Sequence, residues 1–380
     1  MLLSKGLEIE MYTGTSQGEI VGLSDRIVRD LDGCFVREPD SRNVEYTTAP
    51  FCCYDRLLCA ILRPRKQLRD YLNRLGDYTL IPGSTLSLGE SDRFYRSDPN
   101  NPYHSYIEQT YHTTVVTASI HINIGISNPE DLLRACRLIR LEAPLYLALT
   151  ASSPFLDGQP TGYHSTRWSI FPQTPSDVPL FESHAHFIQW TEAQIAAGTM
   201  QNVRHLWSSV RPNGDCRPYN LNRLELRICD LVTDPIALLA IIAFLEARLT
   251  QLLQEPKFDP LHLSNFSSNE LVSLTKANEM AVARQSLDAQ LHHWQDGRTI
   301  AARDWIDEIY QQVWFIAKQK GFSCFLSPLQ KILRDGNTAE QWLQQYQSGL
   351  TPQQIIMQAI QAADKQEQDL EEKLCQPMAA

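Results

Sequence analysis

Four short segments of this chain alternate apolar and polar side chains with period two, and they constrain its fold more than any other feature. In GLEIEMY the apolar set is Leu7, Ile9 and Met11, and the polar set is Glu8 and Glu10. NVEYTT sets Val44 and Tyr46 against Glu45. SIHINIGI sets Ile120, Ile122, Ile124 and Ile126 against His121, Asn123 and Gly125. LNRLELRICD sets Leu224, Leu226 and Ile228 against Arg223, Glu225 and Arg227. Strands of this kind bury one face and turn the other outward. One sheet packed on helices through its apolar back would gather Glu8, Glu10, Glu45 and Glu225 on its front, with His121 and Arg227 nearby.

Such a gathering is unfavourable by itself. Carboxylates two apart on one strand sit roughly 6–7 Å from each other. They repel by about 2–3 kcal/mol at an effective dielectric near 20. Hard divalent cations prefer oxygen ligands, so magnesium or manganese would offset the repulsion better than zinc. The plainer reading is a solvated sheet whose outer face carries ordinary Glu–Arg pairs. Alternation alone does not decide between the two.

The remaining segments read as helix and loop. DRLLCAILRPRKQLRDYLNRLG (55–76) and PEDLLRACRLIRLEAPLYLAL (129–149) carry helical patterns, with kinks or breaks expected at Pro64 and Pro144. Residues 150–180 are rich in Ser, Pro, Gly and Thr, yet hold Tyr, Trp, Phe and Arg, which predicts a long, functional loop. From about residue 235 the pattern is mostly helical. PIALLAIIAFLEARL (235–249) reads as a buried helix, and SSNE (267–270) as a capping box. The charged tail from Asp364 to Ala380 is expected to fray. With no internal repeat and no clean linker, the expectation is a single α+β catalytic domain over 1–380. Its core over 1–234 is sheet-rich, and 235–380 is its helical part.

Apolar residues at 43% and charged residues at 21% indicate a globular chain. A formal net charge of −10 argues against a nonspecific nucleic-acid or membrane partner. No uninterrupted apolar run approaches the ~20 residues of a bilayer span, and MLLSKGLEIE lacks a secretory pattern. Nine cysteines without zinc-like CxxC spacing fit the same expectation of a cytoplasmic protein.

GLEIE near the start, SSPF with TGYHSTR in the central loop, and RP followed by LELRICD together resemble the carboxylate–amine ligases of the glutamate–cysteine ligase type. TGYHSTR and LELRICD look like the smaller bacterial branch, and NEMAVARQSLDA (278–289) is similar to a helix of it through Asn278, Arg284 and Leu-Asp-Ala. The resemblance implies a glutamine-synthetase-like fold. There a curved, mainly antiparallel sheet carries helices on its outer face and holds ATP, divalent metals and glutamate on its concave face. It implies that Glu8, Glu10, Glu45 and Glu225 bind Mg2+ or Mn2+, and that His121 and Asn123 lie near metal or phosphate. Arg227 and Arg211 are expected at the phosphate or the transition state. Arg167 and Tyr163, with Arg227, are expected in the glutamate pocket.

The implied reaction is ATP-dependent. The γ-carboxylate of L-glutamate is phosphorylated, and the amine of L-cysteine displaces phosphate from γ-glutamyl phosphate. The product would be γ-glutamylcysteine, the first step of glutathione biosynthesis. A different amine is the nearest alternative, and a metal-dependent hydrolase a more distant one. Relatives in the small branch suggest a homodimer. The chain departs from that branch at Met11, where a third acidic residue is frequent. NGDCRPYNLNR, between RP and LELR, also looks several residues longer than usual.

Overall fold

A computed structural model describes residues 2–31 and 33–374. Its main sheet contains β1 (Lys5–Thr15), β2 (Phe35–Arg37), β3 (Asn43–Thr47), β4 (Tyr78–Ile81) and β5 (Ile120–Gly125). After a small hairpin of β6 (Phe155–Leu156) and β7 (Gln159–Pro160), it is completed by β8 (Val210–Asn213) and β9 (Arg223–Leu226). The order is β2-β3-β1-β5-β9-β8, and every pairing is antiparallel. β1 is central and long enough to serve several neighbours. Along one side its first half pairs β5 and its last four residues pair β4. A further hairpin, β10 (Gln290–His292) with β11 (Thr299–Ala301), lies within the otherwise helical C-terminal part.

The alternation seen in sequence becomes two faces. Leu7, Ile9, Met11, Val44, Tyr46, Ile120, Ile122, Ile124, Leu224 and Leu226 are all buried in one continuous core. The helix Tyr54–Leu75 packs beside β4, and Pro129–Thr150 against β8 and β9. Pro235–Gln254 packs on both of these helices. It is long and apolar enough to cross a membrane by composition, but most of it is buried inside the fold. Its two central charges are neutralised there. Glu246 accepts from Lys5 at 2.7 Å and from the Tyr54 hydroxyl at 2.6 Å, and Arg248 donates to Glu142 at 2.9 Å.

Three local expectations are corrected. Pro64 and Pro144 break neither helix, which run through them as Tyr54–Leu75 and Pro129–Thr150. Each proline forfeits one helical hydrogen bond, a loss offset by burial of Ile61, Leu62 and Leu68 around Pro64 and of Leu141, Ala143, Leu145 and Tyr146 around Pro144. The third concerns the tail, where the helix Pro352–Leu374 extends well past Asp364. Glu367 is buried and accepts from Arg65 at 3.1 Å and Arg69 at 2.9 Å, which docks this helix onto Tyr54–Leu75. Residues 375–380 lie outside the described residues. The capping box is present, with Ser267 and Glu270 each bonding the other's backbone.

Removing one partner of a buried ion pair leaves the other charge stranded, which costs about 3–5 kcal/mol. Glu367→Ala is therefore expected to lower unfolding free energy by about that much in urea titrations, because Arg65 stays buried. A loss below ~1 kcal/mol would show the pair to be dispensable.

Candidate active site

The register of the strands fixes what meets on the polar front. Glu8 lies opposite His121, and Glu10 opposite Glu45. Asn123 and Arg211 flank Glu225 from the two sides of β9. These side chains assemble into two acidic groups. Ligand atoms of Glu8, His121 and Glu225 lie within 4.8 Å of one another, as do those of Glu10, Glu38 and Glu45. Because Glu8 and Glu10 are successive outward positions of β1, the groups adjoin.

Glu38 is the member that pattern reading missed. It follows β2, and a three-residue strand is too short to display a period. The other four carboxylates and His121 are brought together as the alternation predicts.

The two groups differ in charge balance. Glu225 is fully buried, which by itself would push its pKa up, yet Arg211 and Arg227 hold it well below the usual carboxylate range. Arg211 reaches it through Nε at 2.7 Å and Nη2 at 3.0 Å, Asn213 donates at 2.6 Å, and Arg227 donates through Nη1. Glu8 is also raised by burial, but the His121 hydrogen bond at 3.0 Å, together with the attraction of His121 and Arg227, leaves its pKa lowered. Asn123 donates to Glu8 at 3.2 Å, and Ser119 to Glu10 at 2.8 Å. Among the described residues no arginine pairs directly with the second group, and Arg227 lowers Glu38 and Glu45 only from a distance. Burial, then repulsion from Glu10 and Glu45, drives Glu38 far up. Burial, then Glu8 and Glu10, pushes Glu45 up to about 8.

A set of carboxylate oxygens with one imidazole and too little positive charge suits a hard divalent cation. Two further atoms point the same way. Asn123 Oδ1 and Arg227 Nε are buried without a hydrogen-bond partner, and buried polar atoms of this kind call for a ligand or water. A cavity of about 500 Å³ opens at the Glu8–Asn123 edge, walled by Ser4, Thr47, Thr48 and Arg223.

The remaining expected residues are placed differently. Arg167 is buried, and its guanidinium donates to the carbonyls of Ile228 at 2.9 Å and Arg227 at 3.1 Å, with Asp230 at 3.7 Å. Its fork grips the backbone that carries Arg227. Asp230 in turn accepts from Ser152 N–H and from the hydroxyls of Ser153 and Ser165, pinning the central loop to the sheet. That loop is partly ordered as β6, β7 and the short helix Thr166–Ile170. Tyr163 is half-buried, its ring 5.4 Å beneath the Arg284 guanidinium. Asn278 exchanges two hydrogen bonds with the backbone of His292, at 2.8 and 2.9 Å, and so holds β10.

This fold is one that ligases use. It matches the glutamate–cysteine ligase of Francisella tularensis, solved in complex with AMP, with a TM-score of 0.73 at 12% identity over 100% of this chain and 96% of that one. It also matches a bifunctional glutathione synthetase from Pasteurella multocida, with a TM-score of 0.71 at 14% identity over 98% of this chain and 53% of that one. The chain belongs to glutamate–cysteine ligase family 2, whose model matches residues 4–373. A "Putative glutamate–cysteine ligase 2" of Sorangium cellulosum is 30% identical over 233 residues, 60% of this chain and 58% of that protein. A "Putative glutamate–cysteine ligase 2-3" of Rubrobacter xylanophilus is 25% identical over 321 residues, 81% of each.

A carboxyl raised on folding contributes stability at low pH and loses it as pH climbs from its ordinary 4.5 to about 8, where Glu45 ionises. The metal-free protein should therefore gain from Glu45→Gln, by about 0.5–2 kcal/mol near pH 8.5. The gap to the wild type should close toward pH 5. Thermal melts in chelator across that range check this, and a gap that does not change with pH contradicts it.

Proposed function

We propose that this protein is an ATP-dependent ligase joining the γ-carboxylate of L-glutamate to the amine of L-cysteine through γ-glutamyl phosphate. The observation that carries the reading is the pair of adjoining acidic groups, one paired with Arg211 and Arg227 and the other without a paired arginine. Membership of the family supports it, as do the names of the relatives and the AMP complex of the Francisella enzyme. A cytoplasmic location and a homodimer complete the proposal.

Glu8, His121 and Glu225 would hold one Mg2+, and Glu10, Glu38 and Glu45 another. Bound there, the ions would offset the repulsion between ATP and the glutamate carboxylate. The protein's own groups do the rest. Arg227, already bonded to Glu225, has Nε free to donate to an oxygen of the transferring phosphoryl group. Arg211 spends its donors on Glu225 and on the carbonyls of Arg204 and Leu206, so it fixes that carboxylate in place. Arg167 acts one step back, by holding the backbone of Arg227. Asn123 Oδ1 is free to accept from an ammonium or hydroxyl.

ADP release from purified protein, with ATP, magnesium, glutamate and candidate amines added singly, tests the reading. The expected result is turnover requiring both glutamate and cysteine, with γ-glutamylcysteine identified by mass. Turnover with another amine keeps the chemistry and changes the product. No ATP turnover with any amine, despite bound metal, favours hydrolysis. Glu8→Gln should lower kcat by about 10²–10³-fold with an unchanged circular dichroism spectrum.

A further inference from the structure

The turn between β8 and β9 holds the extra residues noted in NGDCRPYNLNR. It folds tightly on itself, with the Cys216 carbonyl accepting from the amides of Tyr219 and Asn220. The helix His184–Ala196 anchors it from outside, through His184 to the Pro218 carbonyl at 2.8 Å and Glu192 to the Tyr219 hydroxyl at 2.8 Å. This arrangement sets Arg217 within the field of Arg211, Glu225, Arg227 and Arg223.

Four guanidiniums therefore share this corner with few carboxylates. Glu225 already accepts from Arg211, Arg227 and Asn213. Asp215 lies 3.7 Å from Arg223. Arg217 is left over. Among the described residues its side chain makes no hydrogen bond or ion pair, and its Nη1 is buried without a partner. Burial and the neighbouring Arg211 pull its pKa down to about 10. Arg227 Nε is another buried donor without a hydrogen-bond partner. Arg223 walls the cavity that opens beside Glu8.

Two unsatisfied guanidinium donors in one electropositive corner describe a receptor for anionic oxygens. We infer that Arg217 is a substrate-binding residue, donating to an anionic oxygen group: a phosphate of the nucleoside triphosphate or the α-carboxylate of an amino acid. The inference rests on the ligase reading and adds to it a residue from the segment in which this chain is longer than expected.

Calorimetric titration of wild type, Arg217→Ala and Arg217→Lys with a non-hydrolysable ATP analogue plus magnesium, and separately with L-glutamate, tests it without relying on turnover. The expected result is a dissociation constant raised about ten- to hundredfold for one of the two ligands in Arg217→Ala. Arg217→Lys should recover part of it. Loss for the ATP analogue identifies a phosphate, and loss for glutamate a carboxylate. The ligand-free Arg217→Ala protein should melt no lower than wild type, because an unpaired buried charge has been removed. Unchanged affinity for both ligands overturns the role of Arg217 while leaving the ligase reading intact, and a lower melting temperature alongside marks the residue as structural. A wild type that binds neither ligand overturns the ligase reading and this inference with it.

Discussion

Bringing six ionisable side chains onto one face of a sheet, largely out of water, costs free energy that the protein returns only in part. Arg211 and Arg227 stabilise Glu225 as a carboxylate, and the His121 hydrogen bond does the same for Glu8. No equivalent serves Glu38 or Glu45, whose raised pKa values record the deficit. The sheet is thus built as half of a neutral object. Left to themselves the Glu38 and Glu45 carboxyls stay protonated near neutral pH, and positive charge brought from outside would let them ionise.

A surface under such repulsion needs a rigid support, and buried ion pairs supply it. Lys5–Glu246 ties the start of β1 to the central helix, and Arg42–Asp40 holds the turn before β3. Arg65 and Arg69 with Glu367 clamp the last helix, and Arg248–Glu142 joins two core helices. Buried pairs are weak contributors to net stability, because desolvation offsets most of their attraction. Their geometry is demanding, however, and all but Arg42–Asp40 join separate elements at a single relative position. The carboxylates of β1 are consequently presented from a frame that has few ways to relax.

How much of this was legible follows from the range of the interactions. The four alternating strands, their shared polar face and the residues on it could be read locally, since a period of two needs only a few residues to declare itself. Glu38 could not, because β2 has three residues and no period. Arg167 shows the other limit. Its residue type suits a substrate carboxylate, but what its five donors meet is a tertiary fact: here Nη1 and Nη2 meet backbone carbonyls, and Nε meets no hydrogen-bond partner. The continuity of the helices through Pro64 and Pro144 likewise depends on burial that local propensity does not contain. The docking of Glu367 joins residues some 300 positions apart, a distance at which no local pattern speaks.

The pinned central loop has a consequence for how that segment can move. A segment of that length and composition would ordinarily swing as a cover, opening and closing on each cycle. Asp230 fixes Ser152, Ser153 and Ser165 of this one by three hydrogen bonds from within the core, with Arg167 nearby. Both ends of the stretch from Ser153 to Ser165 are thereby tied to one buried carboxylate, so any swing of that stretch must pivot between two fixed anchors instead of carrying the whole segment away.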